Sequence, residues 1–178
     1  MNQKTNILRE ALSIFIALFL LSLCSQISFS LPGGIPFTGQ SFAVLSVAIY
    51  LGWLRGGIAV LLYLAIGAIG APIFAGGASG ISHFFDGSAG YLVGFLIATL
   101  FVGWLKTKGY DRTFARSTIS FLIGHCIILT CGFIFIWYLR DFNTAYHYGL
   151  KPFIFAALLK SLLGGLVMPI YYEIKEEW

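Results

Sequence analysis

The sequence predicts an all-α integral membrane protein, a bundle of six transmembrane helices with both termini in the cytoplasm. Composition is the first reason. Of 178 residues, 58% are hydrophobic and 10% charged, against about 25% charged in an average soluble domain. Eleven basic and seven acidic side chains are too few to cover a soluble particle of this size. A mean hydropathy of +0.88 excludes intrinsic disorder, which needs low hydrophobicity. Length is the second reason: six crossings of about 20 residues each use most of the chain. Residues 1–178 therefore form a single transmembrane domain with no room for a soluble one. The third is glycine, 21 of 178 residues against a usual 7% or so, which suits close helix packing and irregular backbone around a cavity.

The elements follow in order. The apolar run Ala11–Ser30 comes after Lys4 and Arg9 and has the look of a signal peptide. Leu21-Ser22-Leu23-Cys24 also approaches a lipoprotein cleavage box, but Leu23 stands where a small residue is needed. With further spans following, it reads as a retained first helix. Residues Phe42–Phe74 carry one charge, Arg55, and are too long for one crossing. Arg55-Gly56-Gly57 divides them into helices over about Gly39–Leu54 and Gly56–Ala71, the second stopped by Pro72. Later helices are expected over Ser88–Leu105, Ala115–Leu139 and Lys151–Ile174.

Charge orients the bundle. With the N terminus inside, the cytoplasmic face carries Lys4, Arg9, Arg55, Lys106, Lys108, Arg112, Arg116 and Lys175, while the outer face carries only Arg140 and Lys151. That is a strong positive-inside bias and implies a multi-pass protein of the plasma (inner) membrane. The glycine-containing loops 31–39 and 75–87 then both face outward. The net charge of +4 records topology; no basic patch with interleaved aromatics suggests nucleic acid. Cys24, Cys126 and Cys131 all lie in apolar stretches and cannot all pair.

No P-loop sequence is present, so this chain does not itself bind ATP in that way. No H-E-x-x-H occurs, and three scattered histidines suggest no metal cluster. Lys160 is the most informative residue. It sits about nine residues into the last helix, roughly 13 Å deep, where a charge costs at least about 2.5–3.5 kcal/mol unless it meets a cavity or partner. It is either a cation awaiting an anionic ligand or a lysine that snorkels outward or pairs with Asp86 or Asp141. Ala156 and Gly164 beside it leave room for a ligand or another helix. Thr38 and Gln40, in Pro36-Phe37-Thr38-Gly39-Gln40, offer neutral hydrogen-bonding groups, or Thr38 simply caps the following helix. Ala75 and Gly76 open a glycine-rich loop whose backbone can approach a ligand. Ser88 can cap the next helix, and Tyr91 can stack on a ligand or serve as an interfacial aromatic. His125, inside the fifth expected helix, reads first as a residue bonded to a neighbouring helix and only second as a catalytic one. Ser13 and Ala17 form a small-xxx-small face for another helix, within the bundle or from a partner subunit.

One catalytic alternative is visible. Gly77-Ala78-Ser79-Gly80 matches the G-x-S-G pattern of rhomboid intramembrane serine proteases, with His125 46 residues later. Ser79 falls in an outer loop and His125 lies about ten residues from the cytoplasmic end of its helix, depths that do not allow a Ser–His dyad.

Taken together, Pro36-Phe37-Thr38-Gly39-Gln40-Ser41, the run Leu61 to Gly77 and Gly90-Tyr91-Leu92-Val93-Gly94-Phe95 closely resemble the BioY family, the biotin-binding S components of energy-coupling-factor (ECF) transporters. The likeness returns at Lys151-Pro152-Phe153 and Lys160. It implies a non-enzymatic biotin-capturing subunit with a pocket from Thr38, Gln40, Ala75, Gly76, Ser88, Tyr91 and Lys160. It also implies a separate transmembrane coupling subunit and two ATPase subunits that use the ATP. This chain itself needs no cofactor. Three departures stand out. Asp86-Gly87-Ser88-Ala89-Gly90-Tyr91 replaces the family's Gly-Pro-Thr-Gly-Gly-Tyr, and no asparagine occurs near Gly76. Ala157 stands where members carry an aspartate three residues before the lysine, which leaves an S component for a different small vitamin as the second reading.

Overall fold

A computed structural model describes residues 3–31 and 35–176. The first helix, α1, spans Gln3–Ser25, five residues short of the expected end at Ser30. The chain leaves it through a turn in which the Gln26 and Ile27 amides donate to Leu23 and Cys24. Strands β1 (Ser28–Leu31) and β2 (Ile35–Thr38) then pair antiparallel, Phe29 opposite Phe37. Both segments alternate polar or small with large apolar residues, and the two rings stack at 4.9 Å, a cross-strand contact that a helix would forfeit. Residues 32–34 of the expected outer loop lie outside the described residues.

Helix α2 (Gly39–Ala68) holds the sharpest feature of the fold. Gly52 has φ +78°, ψ 179°, outside the helical region. The backbone reverses there: a Cβ on Gly56 would lie 3.2 Å from the Val47 carbonyl oxygen, and Gln40 Nε2 donates to the Tyr63 hydroxyl at 2.7 Å. In a straight helix those last two residues would be about 34 Å apart at 1.5 Å per residue. α2 is thus a hairpin of two helical arms. The break comes earlier than the expected Arg55-Gly56-Gly57. Gly52 takes the backbone angles only glycine accepts freely, while Gly56 and Gly57 are spent on close packing against Val47, Ala48 and Leu100.

Beyond α2 the chain crosses two short 3₁₀ turns, Ala75–Gly77 and Ile81–Phe84, before α3 (Ala89–Thr107) and α4 (Phe114–Leu139). A short α5 (Phe142–Thr144), capped by Asp141, leads into a π turn over Ala145–Leu150 and then α6 (Lys151–Glu176). The last helical stretch therefore begins nine residues before the expected Lys151, because Asp141 accepts from the Thr144 amide at 2.9 Å and starts the helix early.

Contacts divide the bundle into two ends. Arg55 reaches Glu10 of α1 at 2.7 Å, Lys106 donates to the Tyr50 carbonyl, and Arg116 lies over Tyr110. These bring Arg9, Arg55, Lys106, Lys108, Arg112 and Arg116 to one end; the side chains of Lys4 and Lys175 lie outside the described residues. The β pair, the 3₁₀ turns and the π turn occupy the opposite end. Among the described residues, five helical stretches are long and apolar enough to cross a membrane. Large apolar side chains such as Leu12, Phe15, Phe19, Leu61, Ile134 and Leu166 face outward, as in a multi-pass membrane protein.

Ala17, on the face expected to receive another helix, is buried in the core with Leu21 and the α2 residues. Ser13 is half-buried and donates to the Glu10 carbonyl. Ala17 thus packs within the bundle, where a small side chain lets α1 approach α2 closely.

Candidate functional site

At the end opposite the basic cluster, β2, α2, α3, α4, the π turn and α6 enclose a cavity of about 330 Å³. Thr38, Gln40, Ser88, Tyr91 and Lys160, all expected site residues, line it. Ala75 and Gly76 do not: their turn is tied to α1 instead, where Gln26 Nε2 donates to the Phe74 carbonyl at 3.3 Å.

Lys160 decides the electrostatics. It is 4% exposed, and among the described residues no carboxylate lines the cavity with it. Nζ donates to Ser41 Oγ at 3.0 Å and stands 4.7 Å from the centre of the Phe37 ring. A hydroxyl and an aromatic face hold the ammonium without cancelling its charge. The two acids weighed as its partners are engaged elsewhere. Asp86 contacts His83 Nδ1 at 2.9 Å and accepts from the Ser88 amide at 2.8 Å. Asp141 caps α5. Partial burial raises the Asp86 carboxyl, but the Ser88 hydroxyl and amide together with His83 outweigh it and hold the group below its ordinary 3.8. The Thr144 hydroxyl and amide lower Asp141 likewise.

The neutral groups are fixed by a second network. The Tyr63 hydroxyl accepts from Gln40 and lies 3.0 Å from Ser25 Oγ and 2.9 Å from the Ile73 carbonyl. This ties α1, both arms of α2 and the loop after it, and sets the Gln40 amide at the cavity wall. Thr38 makes no side-chain cap to α2, and Ser88 none to α3. Thr38 is therefore not occupied as a cap. Ser88 instead bonds Asp86. The Tyr91 hydroxyl donates to the Gly149 carbonyl, so the ring, packed on Phe153 at 5.8 Å, is what Tyr91 offers a ligand.

The structure adds lining residues that the sequence did not single out: Ser41, Leu92, Phe95, Ile128, Leu129, Ile136 and Tyr148. Ser41 follows Gln40 directly and could have been read from the same motif. Tyr148 could not, since its position depends on the π turn. His125 also lines the cavity, where its Nδ1 lies 2.9 Å from the Phe121 carbonyl and 3.1 Å from Ser161 Oγ. Ser79 is absent from that lining, and the hydroxyl beside His125 is that of Ser161, so the Ser79–His125 pair is not formed.

Known proteins similar to this chain in sequence or in shape point in one direction. The sequence profile of the BioY family matches residues 1–176. The biotin transporter BioY2 of Lactococcus lactis subsp. cremoris is 33% identical over 74% of this chain and 72% of its own length. The biotin transporter BioY of Thermotoga maritima is 34% identical over 76% of this chain and 79% of its own. A crystal structure of the S-component for biotin from an ECF-type ABC transporter superposes with a TM-score of 0.81, covering 97% of this chain and 95% of that one, at 22% identity. With its profile matched from end to end, the chain belongs to the BioY family.

Proposed function

We propose that this protein is the substrate-capturing subunit for biotin uptake by an ECF-type transporter. The observation that carries this is a cavity of drug-like size holding one buried cation, Lys160, and no carboxylate. Biotin pairs a neutral ureido ring with an anionic valerate tail, so a largely apolar pocket with neutral hydrogen-bonding groups and a single positive charge complements it. The names of the relatives and of the superposed structure support the same reading. It makes the chain a transporter subunit and not an enzyme.

In this reading the chain crosses the plasma membrane six times, the α2 hairpin supplying two crossings, with both termini and the basic end in the cytoplasm. The positive-inside rule supports that orientation, and the cavity then lies at the outer side. Capture alone does not concentrate a ligand. A coupling subunit and two ATPase subunits would reorient the loaded bundle, and accumulation against a gradient by the purified chain alone would contradict this. Ala157 on the cavity wall favours, as the second reading, a different small vitamin for the same site. Calorimetric titration of the detergent-purified chain with biotin, beside Lys160→Ala, tests the assignment. Saturable binding weakened in the variant is expected. A folded, monodisperse wild type that binds another vitamin but not biotin would overturn it.

A further inference from the structure

His125 is a buried titratable residue with no part in the site as described so far. It is 3% exposed and lines the ligand cavity together with Lys160 and Ala157. Both neighbours of its Nδ1 are acceptors: the Phe121 carbonyl has no proton, and the Ser161 hydroxyl spends its own on the Ala157 carbonyl at 2.7 Å. Nδ1 therefore carries the hydrogen. A second buried cation beside Lys160 without a carboxylate in the lining would be costly, so the ring is neutral and Nε2 is an acceptor. That Nε2 is buried and has no hydrogen-bond partner among the described residues, a state that native interiors rarely leave unexplained. Ala157 presents only a methyl group on the same wall.

Resting on the biotin reading above, we infer that His125 is a specificity residue whose Nε2 accepts a hydrogen bond from a ureido N–H of the ligand. A carboxylate has no proton to give, so the acid end cannot satisfy Nε2; in biotin the ureido nitrogens are the N–H donors. The ring end therefore lies at His125.

The test is a cycle of two proteins and three ligands: wild type and His125→Asn, each titrated with biotin and with biotin methylated at either ureido nitrogen in turn. Asparagine keeps a donor near the Nδ1 position and has no acceptor at the position of Nε2. Wild type should bind biotin about 10-fold more tightly than His125→Asn does, and should reject one methylated ligand by a margin that the variant loses. A variant that weakens all three ligands equally, or wild type indifferent to both methyl groups, overturns the assignment of His125 while leaving biotin as ligand. Wild type that does not bind biotin overturns the biotin reading and this assignment together. Should His125→Asn not fold, the ¹⁵N-histidine spectrum of the wild type decides. Biotin must move the Nε2 resonance in the direction of an accepted hydrogen bond and leave Nδ1 in place, and an unmoved Nε2 overturns the assignment.

Discussion

Replacing Lys160 by methionine separates what the cation does for the ligand from what it does for the fold. In the empty cavity Nζ has one hydroxyl partner at 3.0 Å and an aromatic face at 4.7 Å, and 4% of the residue is exposed. A hydrogen bond to a charged donor contributes about 1.5–3 kcal/mol, and a desolvated cation–π contact about 2 kcal/mol. Removing an ammonium from water costs several kcal/mol, which offsets both. Methionine retains the length of the stem and leaves no buried charge, so the thermal unfolding midpoint of the empty protein should hold or rise. Ligand binding should respond in the opposite sense. Loss of one charge-assisted bond of about 1.5–3 kcal/mol weakens affinity roughly 10- to 150-fold. Titration calorimetry and a detergent-phase melting curve on the same preparation read both quantities. Affinity within twofold of wild type would refute the role of the cation; a strongly lowered midpoint with unchanged affinity would show that Lys160 is structural.

Three further outcomes follow from the geometry. Gly52→Ala should destabilise the protein by about 1–3 kcal/mol, seen in the same melting curve, because φ is +78° and ψ 179° while nothing within 4 Å opposes a Cβ; the cost is backbone strain alone. Gly132→Ala drives a Cβ into the Tyr91 ring, so it should cost about 1–3 kcal/mol and, by displacing that ring, weaken ligand binding more than a remote overpacking of equal cost. The third concerns pH. The folded Asp86 carboxyl is held below 3.8, so its stabilising effect is complete above that value and fades as pH falls through the folded one. Wild type should therefore exceed Asp86→Asn in stability near neutral pH and lose that margin below pH 3.8; a margin that persists in acid would contradict the bonds to Ser88 and His83.

Composition and hydropathy alone determined that this chain lives in a bilayer, and the charge pattern alone grouped its basic residues, since both depend on counts along the chain rather than on contacts. The motifs around Thr38, Gln40, Ser88, Tyr91 and Lys160 were also legible, because polar or charged residues in apolar surroundings need a reason. Three things were decided only by tertiary structure. The α2 reversal sits at Gly52 and not at the paired glycines beyond it, because three nearby glycines compete for one turn and only packing shows which are needed for close approach. Ala75 and Gly76 stand outside the cavity lining, in a turn whose neighbouring carbonyls, of Pro72 and Phe74, are bonded by Gln26, distant in sequence. His125 came into the cavity lining with its Nδ1 between Phe121 on its own helix and Ser161 on another. A hydrogen bond between helices has no signature in either helix alone; it exists only once the bundle brings the two together.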